Sequence, residues 1–341
     1  MPPDSAGSPV STESMQADAR ALAAKVIAGE RSAIAQALNQ VDDNRPAYRE
    51  RSLTLLDALA ETDGGIRIGV TGAPGAGKST LLDVLVSGLR ARDRSVGVLA
   101  VDPSSQRTGG ALLGDRMRLS SSARDSGVFL RSLAARDALG GLSEVTGPSL
   151  DVMSSALDFV FVETVGVGQS EAQVTDLVDT LVFVAQPAAG DLIQFMKAGI
   201  LEWPDLFFVN KADLGAIATR SATELRAGID LGNNRDPNRT PPVLCGSARD
   251  GVGIEELIDA IEEHSAYLTT SGQAATRRAG GRVARIGQAL QTRYGRFGME
   301  RLLATGSLEQ QIKNLGKMSV DRAIDELGRQ IESALGSDNG R

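Results

Sequence analysis

The sequence predicts an α/β protein in which helices cover both faces of a mostly parallel sheet. Apolar runs of three to six residues alternate with helical stretches from Ile66 to about His264. Near-continuous apolar strands separated by helices are typical of a parallel sheet buried on both faces. A glycine-rich loop after the first run adds a strand–loop–helix unit. The predicted strands are Ile66–Val70, Val96–Val101, Val128–Leu130, Phe159–Val162, Thr180–Ala185, Leu206–Val209 and Val243–Cys245.

Helical sections are predicted on both sides of this central domain, which spans residues 63–264. Residues 15–62 form a helical N-terminal extension, because apolar residues recur there at helical spacing, and residues 1–14 are a Pro/Ser-rich leader that we expect to be disordered. Residues 265–341 form a helical C-terminal section, entered through a Thr/Ser/Gly linker after Tyr267. Its last apolar stripe faces either the chain's own core or a second subunit, and it consists of Val320, Ile324, Leu327 and Ile331.

The composition is that of an ordinary globular protein. Of 341 residues, 42% are hydrophobic and 23% are charged. The 36 basic and 43 acidic residues give a net charge of −7, which predicts no general attraction to nucleic acid or membranes. No apolar run is long enough to span a membrane. Cys245 is the only cysteine, which excludes an intramolecular disulfide and favours a reducing, cytoplasmic location.

The loop after the first predicted strand carries the pattern G-x-x-x-x-G-K-[ST]. Between a strand and a helix, this pattern forms a cradle of backbone N–H groups at a helix N-terminus whose dipole favours phosphate. The Lys78 ammonium reaches the β- and γ-phosphate oxygens, and the Ser79 hydroxyl is a ligand for Mg²⁺. The sequence therefore predicts a nucleoside triphosphate site formed by Gly72, Ala73, Pro74, Gly75, Ala76, Gly77, Lys78, Ser79 and Thr80.

A later loop predicts that the base is guanine. The strand that ends at residue 209 is followed by N-K-x-D, and the two carboxylate oxygens of Asp213 match the N1–H and 2-amino donors of guanine. Adenine lacks this pair of donors, so ATP would leave the carboxylate unsatisfied. The stem of Lys211 covers the base, and Asn210 ties neighbouring loops together. Ser247 and Ala248 form a second guanine element, in which a backbone N–H near Ala248 donates to O6.

Two acidic loops follow strands whose carboxyl ends should face the same edge of the sheet as the phosphate loop. Asp102 ends one strand and holds a Mg²⁺-bound water. Asp115, in the glycine-rich loop after it, either supports the metal and its water or is a solvated carboxylate. Glu163 ends another strand and supports the metal, and the Gly166 N–H contacts the γ-phosphate. The predicted catalytic residues are Lys78, Asp102, Glu163 and Gly166, and the predicted metal-site residues are Ser79, Asp102, Asp115 and Glu163.

The residues after Gly166 predict slow intrinsic hydrolysis. Ras-like proteins place a glutamine directly after this glycine to orient the attacking water. This chain has Val167 at that position and Gln169 two residues later. Either Gln169 or a group supplied by a partner therefore completes the site.

A third loop, Gln186–Ile200, follows the strand that ends at residue 185. Its Gly-Asp start and later lysine are typical of a cap and the first turns of a helix. Asp191 is therefore an N-cap or a residue that contacts a partner, and Lys197 is a solvated residue or a partner contact. They are six residues apart, too far for an i,i+4 pair within one helix.

Taken in order, the motifs resemble the MeaB/ArgK/MMAA family of P-loop GTPases, chaperones of adenosylcobalamin-dependent methylmalonyl-CoA mutase. The resemblance runs from about Ala21 to Leu335, and its most specific parts are V-E-T-V-G-V-G-Q-S-E and A-G-D-L-I-Q-F-M-K. It implies a P-loop GTPase domain with a helical N-terminal extension and a helical C-terminal arm for homodimerisation. It also implies GTP, GDP and Mg²⁺ as ligands, hydrolysis stimulated by the partner, and a mutase that reads the nucleotide state through Gln186–Ile200.

Two other functions stay open at this point. A metallochaperone GTPase for metalloenzyme maturation shares the acidic-loop pattern, but it needs soft or imidazole ligands, and this chain has only Cys245 and His264. We interpret Cys245 as a small buried hydrophobic residue and His264 as a residue at a helix end. An ATP-dependent kinase is the second alternative, and N-K-A-D argues against it.

Overall fold

The central sheet contains seven parallel strands in the part of the chain that the computed structural model describes, residues 12–43, 45–102, 125–134, 144–164, 170–187, 199–232 and 235–338. All seven predicted strands are confirmed. The one large difference is the third strand, which continues to Ala134 because it pairs with its neighbour along that strand's whole length. The strands are β1 Ile66–Thr71, β2 Val96–Asp102, β3 Val128–Ala134, β4 Phe159–Glu163, β5 Thr180–Ala185, β6 Leu206–Val209 and β7 Val243–Cys245.

The strand order places the predicted motifs together. The order is β3-β2-β4-β1-β5-β6-β7, so β1 lies between β4 and β5. In the register, Val70 pairs with Glu163 of β4, and Thr71 pairs with Phe183 of β5. Because parallel strands end at one edge of a sheet, the loops that follow β1, β2, β4, β5 and β6 all begin at that edge.

Eight helices of more than one turn precede or alternate with the strands in the described residues. Three of them form the N-terminal extension, and the first begins at Thr12, inside the predicted leader; residues 1–11 lie outside the described residues. The helices are α1 Thr12–Ile27, α2 Arg31–Val41, α3 Pro46–Leu59, α4 Lys78–Ala91, α5 Thr146–Ser154, α6 Ser170–Thr175, α7 Ala216–Leu231 and α8 Ile254–Thr270.

Both faces of the sheet are covered, as expected from the apolar strands. On one face, α4 and α8 pack against side chains such as Val70, Phe161 and Val184. On the other face, α5 packs on β2 and β4, and α1 and α2 belong to the same core as the strand side chains Leu99 and Val162. Farther along that face, α7 covers β5 and β6. Alternate residues of the same strand therefore contribute to different cores, which confirms the α/β prediction.

The C-terminal section forms its own helical core from α9 Gln273–Leu303, α10 Leu308–Asn314 and α11 Val320–Asp338. The predicted stripe on α11 faces this core: Leu327 and Ile331 are fully buried against Ile286 and Leu290 of α9. The core-facing interpretation is therefore confirmed for this stripe. No helix in the described residues is long and apolar enough to cross a membrane.

The predicted boundary at residues 264 and 265 falls inside a helix. Helix α8 continues to Thr270, and only Ser271 and Gly272 separate it from α9. The polar residues that indicate a linker are accommodated because their hydroxyls donate to helix carbonyls: Thr269 Oγ1 to Ser265 O at 3.0 Å and Ser271 Oγ to Tyr267 O at 2.7 Å. Local hydrogen bonds of this kind allow Ser and Thr in a helix end.

Ion pairs attach the C-terminal section to the rest of the chain. At the N-terminal edge of the sheet, Arg278 of α9 donates to both carboxylate oxygens of Asp179, each at 2.8 Å. On the other side, Arg322 of α11 contacts Asp57 and donates to Glu50 Oε1 of α3 at 3.0 Å. The helical sections at the two ends of the chain are thus joined to each other as well as to the central domain.

Candidate functional site

The phosphate loop occupies the turn from β1 to α4, and two of its glycines are required by their surroundings. Gly72 has a φ of 143°, and a Cβ there would collide with the carbonyl oxygen of Val184 in β5. Gly77 has a φ of 91°, and its Cβ would lie 2.5 Å from Nδ2 of Asn210. Only glycine fits these conformations and spaces. The absence of side chains at these two positions allows the loop to lie directly against β5 and the predicted guanine motif.

Lys78 begins α4 and its side chain turns back over the loop. The residue is buried, and Nζ donates to the carbonyl oxygens of Gly72 at 2.8 Å and Ala73 at 3.3 Å. The N-terminus of α4 carries no acidic residue in its first turn. A buried ammonium and a helix N-terminus with no acidic residue in its own first turn therefore lie at the same loop, an arrangement that favours a multiply charged phosphate.

The next residue of α4 is paired with the acid at the end of β4. Ser79 Oγ donates to Glu163 Oε1 at 2.8 Å, and the carboxylate is buried. Thr71 ends β1 and Thr164 directly follows β4, and the hydroxyl oxygens of these two residues are 3.1 Å apart. Two hard oxygen atoms beside a phosphate cradle match the preference of Mg²⁺, which takes one or two protein ligands and completes its shell with phosphate and water. The residues present therefore fit a magnesium ion.

Asn210 joins the guanine motif to the phosphate loop. Its Nδ2 donates to Ala76 O at 2.9 Å, and its Oδ1 accepts the Ala248 N–H at 2.9 Å. The predicted role of Asn210 in tying loops together agrees with these contacts. The predicted donor to guanine O6 is a backbone N–H near Ala248; the Ala248 N–H itself is bonded to Asn210 and links the two guanine elements.

Lys211 reaches across the edge of the site. Its backbone is left-handed, with a φ of 60°. Its Nζ donates to Gly75 O at 2.8 Å and to Gln186 Oε1 at 3.0 Å. One side chain thus connects the guanine motif, the phosphate loop and the first residue of Gln186–Ile200.

Side chains in and directly after the second guanine element contact the carboxylate of Asp213. Ser247 Oγ lies 3.0 Å from Oδ1, and Arg249 Nη2 lies 3.2 Å from Oδ2. The side chain is 21% exposed, so a base can approach it. An ionised carboxylate has about four lone-pair sites, which leaves two acceptor sites for guanine. Arg249 and the neighbouring Asp250 were not among the predicted site residues; the signal for them is their position directly after S-A.

Several predicted residues lie outside the described residues: Asp115, Gly166, Gln169, Asp191 and Lys197. For Asp102 only the backbone is described. It ends β2, and Ala100, two residues earlier, pairs with Glu163 of β4. The backbone of Asp102 is therefore at the edge of the sheet where we predicted it.

Two interpretations of single residues were wrong. Cys245 is exposed because it ends β7 at the edge of the sheet. His264 is buried in the interior of α8, where its Nδ1 lies 2.7 Å from Thr180 Oγ1. Burial lowers the pKa of His264 to about 4, so the ring is neutral at pH 7. Neither residue joins a metal-binding cluster: the described part of the chain has no group of three His, Cys, Asp or Glu residues able to hold a metal.

Asp213→Asn is expected to shift base preference from guanine toward xanthine. Xanthine has a carbonyl where guanine has the 2-amino group, so it needs a donor there, and the asparagine amide supplies one. Losing a charge-assisted bond should change the ratio of the GTP and XTP dissociation constants at least about tenfold. Calorimetric titration with each nucleotide measures this ratio. Asp230→Asn, an exposed change on α7, is the control, and an unchanged ratio in Asp213→Asn would exclude the bidentate contact.

Comparisons with known proteins agree with this geometry. The family model described as methylmalonyl-CoA mutase-associated GTPase MeaB matches residues 34–294. A probable GTPase of Mycobacterium bovis is 41% identical over 261 residues, which are 75% of this chain and 78% of the relative. The mitochondrial methylmalonic aciduria type A homolog of Mus musculus is 34% identical over 267 residues, 74% of this chain and 64% of that protein.

A solved structure is similar over nearly the whole chain. The crystal structure of an LAO/AO transport system kinase has a TM-score of 0.66 and 25% sequence identity, and the match covers 95% of this chain and 99% of that one. The similarity extends beyond the central sheet to the helical sections at both ends. The arrangement described above is therefore that of a known protein architecture.

Proposed function

Because the chain belongs to the MeaB family of methylmalonyl-CoA mutase-associated GTPases, we propose that it is a GTP-hydrolysing chaperone of an adenosylcobalamin-dependent acyl-CoA mutase. It protects the mutase and helps to reactivate it, and methylmalonyl-CoA mutase is the expected partner. The observation that supports the switch most directly is Lys211, which contacts the phosphate loop and Gln186 at once. The family description supports the choice of partner.

The nucleotide is assigned to the loops at the carboxyl edge of the sheet. Backbone N–H groups of the loop from Gly72 to Thr80 bind the phosphates. The Lys78 ammonium offsets the phosphate charge, and we therefore assign it a catalytic role. The Gly166 N–H is assigned to the γ-phosphate. At the base, Asp213 accepts from guanine and the stem of Lys211 covers its face.

A magnesium ion is assigned to Ser79 and Glu163, with Asp102 and Asp115 contributing through water. The hydrogen bond between Ser79 Oγ and Glu163 Oε1 supports the assignment of these two residues to the metal. When bound, the ion supplies charge neutralisation for the phosphates and a fixed geometry for them. The hydrogen bond between the two side chains holds their oxygens together, which lowers the cost of organising the site.

Hydrolysis is proposed to be slow without the mutase. Val167 stands where a water-orienting glutamine is expected, so the chain depends on Gln169 or on a group from its partner. A partner that completes the site can accelerate hydrolysis because positioning and electrostatic stabilisation provide most of the catalysis in this type of reaction.

We assign homodimerisation to the helical C-terminal section. The stripe on α11 is covered by the chain's own α9, so a second copy has to contact another face. Two large apolar side chains near the end of α9 are exposed, Phe297 at 57% and Leu303 at 47%. Exposed apolar side chains of this size support a contact at that end.

The mutase is proposed to read the nucleotide state through Gln186–Ile200. Lys197→Ala should leave intrinsic GTP hydrolysis nearly unchanged while reducing the acceleration that saturating mutase provides at least about fivefold, the low end of typical coupling energies. Since coupling is reciprocal, mutase affinity should also become less sensitive to GTP versus GDP.

The experiment measures phosphate release with and without purified methylmalonyl-CoA mutase, and mutase binding in GTP and GDP. Lys313→Ala, an exposed lysine change on α10, is the matched control. An equal acceleration in wild type and Lys197→Ala rejects this loop as the transmitter. If the mutase neither binds wild type nor accelerates its hydrolysis, the chaperone function itself is rejected.

A further inference from the structure

Four side chains form a closed cluster around the carboxylate assigned to the base. Ser247 Oγ lies 3.0 Å from Asp213 Oδ1 and 2.9 Å from Asp250 Oδ2. Arg249 donates to Asp250 through Nε at 3.0 Å and Nη2 at 3.2 Å, and the same Nη2 lies 3.2 Å from Asp213 Oδ2. We call Asp213, Ser247, Arg249 and Asp250 the base-edge cluster.

The Ser247 hydroxyl cannot donate to both carboxylates at the same time. The Ser247 hydroxyl has one hydrogen to donate but two carboxylates within hydrogen-bond distance. Its oxygen also accepts from the Asp250 N–H, 3.3 Å away. Asp213 and Asp250 therefore compete for one donor, and their like charges repel each other. Arg249 is the group in the cluster that contacts both carboxylates and carries the opposite charge.

We propose that Arg249, held in place by Asp250, is a positioning residue that determines guanine specificity. By binding Asp250 with two donors, Arg249 leaves the Ser247 hydrogen for Asp213. The Asp213 carboxylate is then held in one orientation, with an acceptor site on each oxygen for N1–H and the 2-amino group of guanine. This inference rests on the proposed function, because it takes Asp213 to be the residue that contacts the base.

The backbone of this loop is organised without the Arg249 side chain. Residues 247 and 252 form an antiparallel bridge in which Ser247 N donates to Val252 O at 2.9 Å and Val252 N donates to Ser247 O at 3.1 Å. Gly251 supplies the left-handed residue of the turn, with a φ of 73°. Arg249 is 72% exposed and so contributes little to the core. Its removal should change the charges at the base edge and leave the loop folded.

The pKa of the Asp250 carboxyl is lowered by its two side-chain partners in the cluster. It is lowered first by the hydrogen bonds from Arg249 and then by the bond from Ser247. Arg249 is thus the larger of the two influences on this pKa, in agreement with its two hydrogen bonds to Asp250.

The test compares binding of GTP with binding of ITP, whose base lacks the 2-amino group. The variants are Arg249→Ala, Arg249→Lys, Asp250→Asn and the double variant Arg249→Ala/Asp250→Asn, each titrated calorimetrically at one ionic strength. Arg220→Ala is the matched control, because Arg220 is 82% exposed and its ion pair is with Glu224, one helix turn away. ATP is titrated against wild type as well, and thermal melting checks that every variant is folded.

Arg249→Ala should weaken GTP binding about three- to fivefold, the upper range for a partly exposed ion pair, and weaken ITP binding less. Arg249→Lys should keep most of the preference for GTP over ITP, because the charge is retained. In the double variant, the preference should return to within about twofold of wild type, because the neutral amide that replaces the Asp250 carboxylate no longer competes as an anion for the Ser247 hydrogen.

Three outcomes would overturn the proposal. Arg249→Ala could bind both nucleotides as Arg220→Ala does, or it could lose affinity for GTP and ITP equally. In the third, adding Asp250→Asn to Arg249→Ala does not restore the preference for GTP over ITP. A different result concerns the premise. If wild type binds ATP as tightly as GTP, the assignment of Asp213 to guanine is rejected, and the proposed function fails independently of Arg249.

Discussion

Lys78→Ala is expected to weaken GTP binding by at least about 100-fold, because the hydrogen bonds from the ammonium to the β- and the γ-phosphate contribute roughly 1.5–3 kcal/mol each and tenfold in affinity corresponds to about 1.4 kcal/mol. The ammonium is buried and already lies over the loop that cradles the phosphates. Alanine cannot offset the charge of the β- and γ-phosphates. Calorimetric titration with GTP in the presence of Mg²⁺ measures the effect.

Two further variants make this result interpretable. Lys313→Ala, on the surface of α10, should bind GTP as wild type does. Glu163→Ala should keep part of the binding while losing Mg²⁺-dependent hydrolysis, because it removes the partner of Ser79 and leaves the phosphate cradle. Since Lys78 also donates to two loop carbonyls, melting temperatures are compared. Sub-micromolar GTP binding by a folded Lys78→Ala protein would mean that this loop is not the phosphate site.

Asp205→Asn is expected to lower the free energy of unfolding by about 3–5 kcal/mol, the usual cost of leaving buried charges without a partner. Asp205 immediately precedes β6, and its side chain is 3% exposed. Arg277 Nη1 donates to Oδ1 at 2.8 Å, and Arg235 Nη1 donates to Oδ2 at 3.1 Å. Asparagine keeps the shape but leaves two arginines without their counterion.

The effect should extend to the C-terminal section, because Arg277 belongs to α9. His264, whose Nε2 lies 3.5 Å from Asp205 Oδ1, adds no further positive charge at pH 7, because burial lowers its pKa to about 4. Urea unfolding followed by circular dichroism gives the stability, and amide hydrogen exchange shows whether α9 opens earlier.

Asp259→Asn is the matched control for Asp205→Asn. Asp259 pairs with Arg92 at 2.7 Å but is 59% exposed, so its loss should cost less than about 1 kcal/mol. A similar, small cost for both variants would show that the buried cluster does not hold the domain together.

The strands were readily predicted because strands buried on both faces consist of continuous apolar residues. The edge strand β3 was predicted too short because a polar residue interrupts its run of apolar residues. Its second half begins with Arg131, which is turned toward α2 and donates to Asn39 Oδ1 at 2.9 Å. A polar residue that is satisfied by a helix from the N-terminal extension interrupts the apolar pattern without ending the strand.

Single residues were harder to interpret than motifs. Cys245 and His264 have no pattern around them, and we assigned Cys245 to the core from its residue type and His264 to a helix end. Their environment follows from position: β7 is the last strand of the sheet, which exposes Cys245, whereas α8 packs on the sheet along its length, which buries His264. Strand order decides both cases, and it is a property of the whole chain.

The sequence by itself determined the phosphate loop, the guanine motif, the α/β class and the family. Each of these depends on short runs of residues whose conformation or chemistry is local, such as Gly72 to Thr80. The tertiary structure alone decided how the motifs are connected. Asn210 bonds a carbonyl 134 residues away, and Arg277 pairs with an aspartate 72 residues away. Hydrophobic periodicity carries no information about such pairs, because they form only when separate elements pack and bring their charges together.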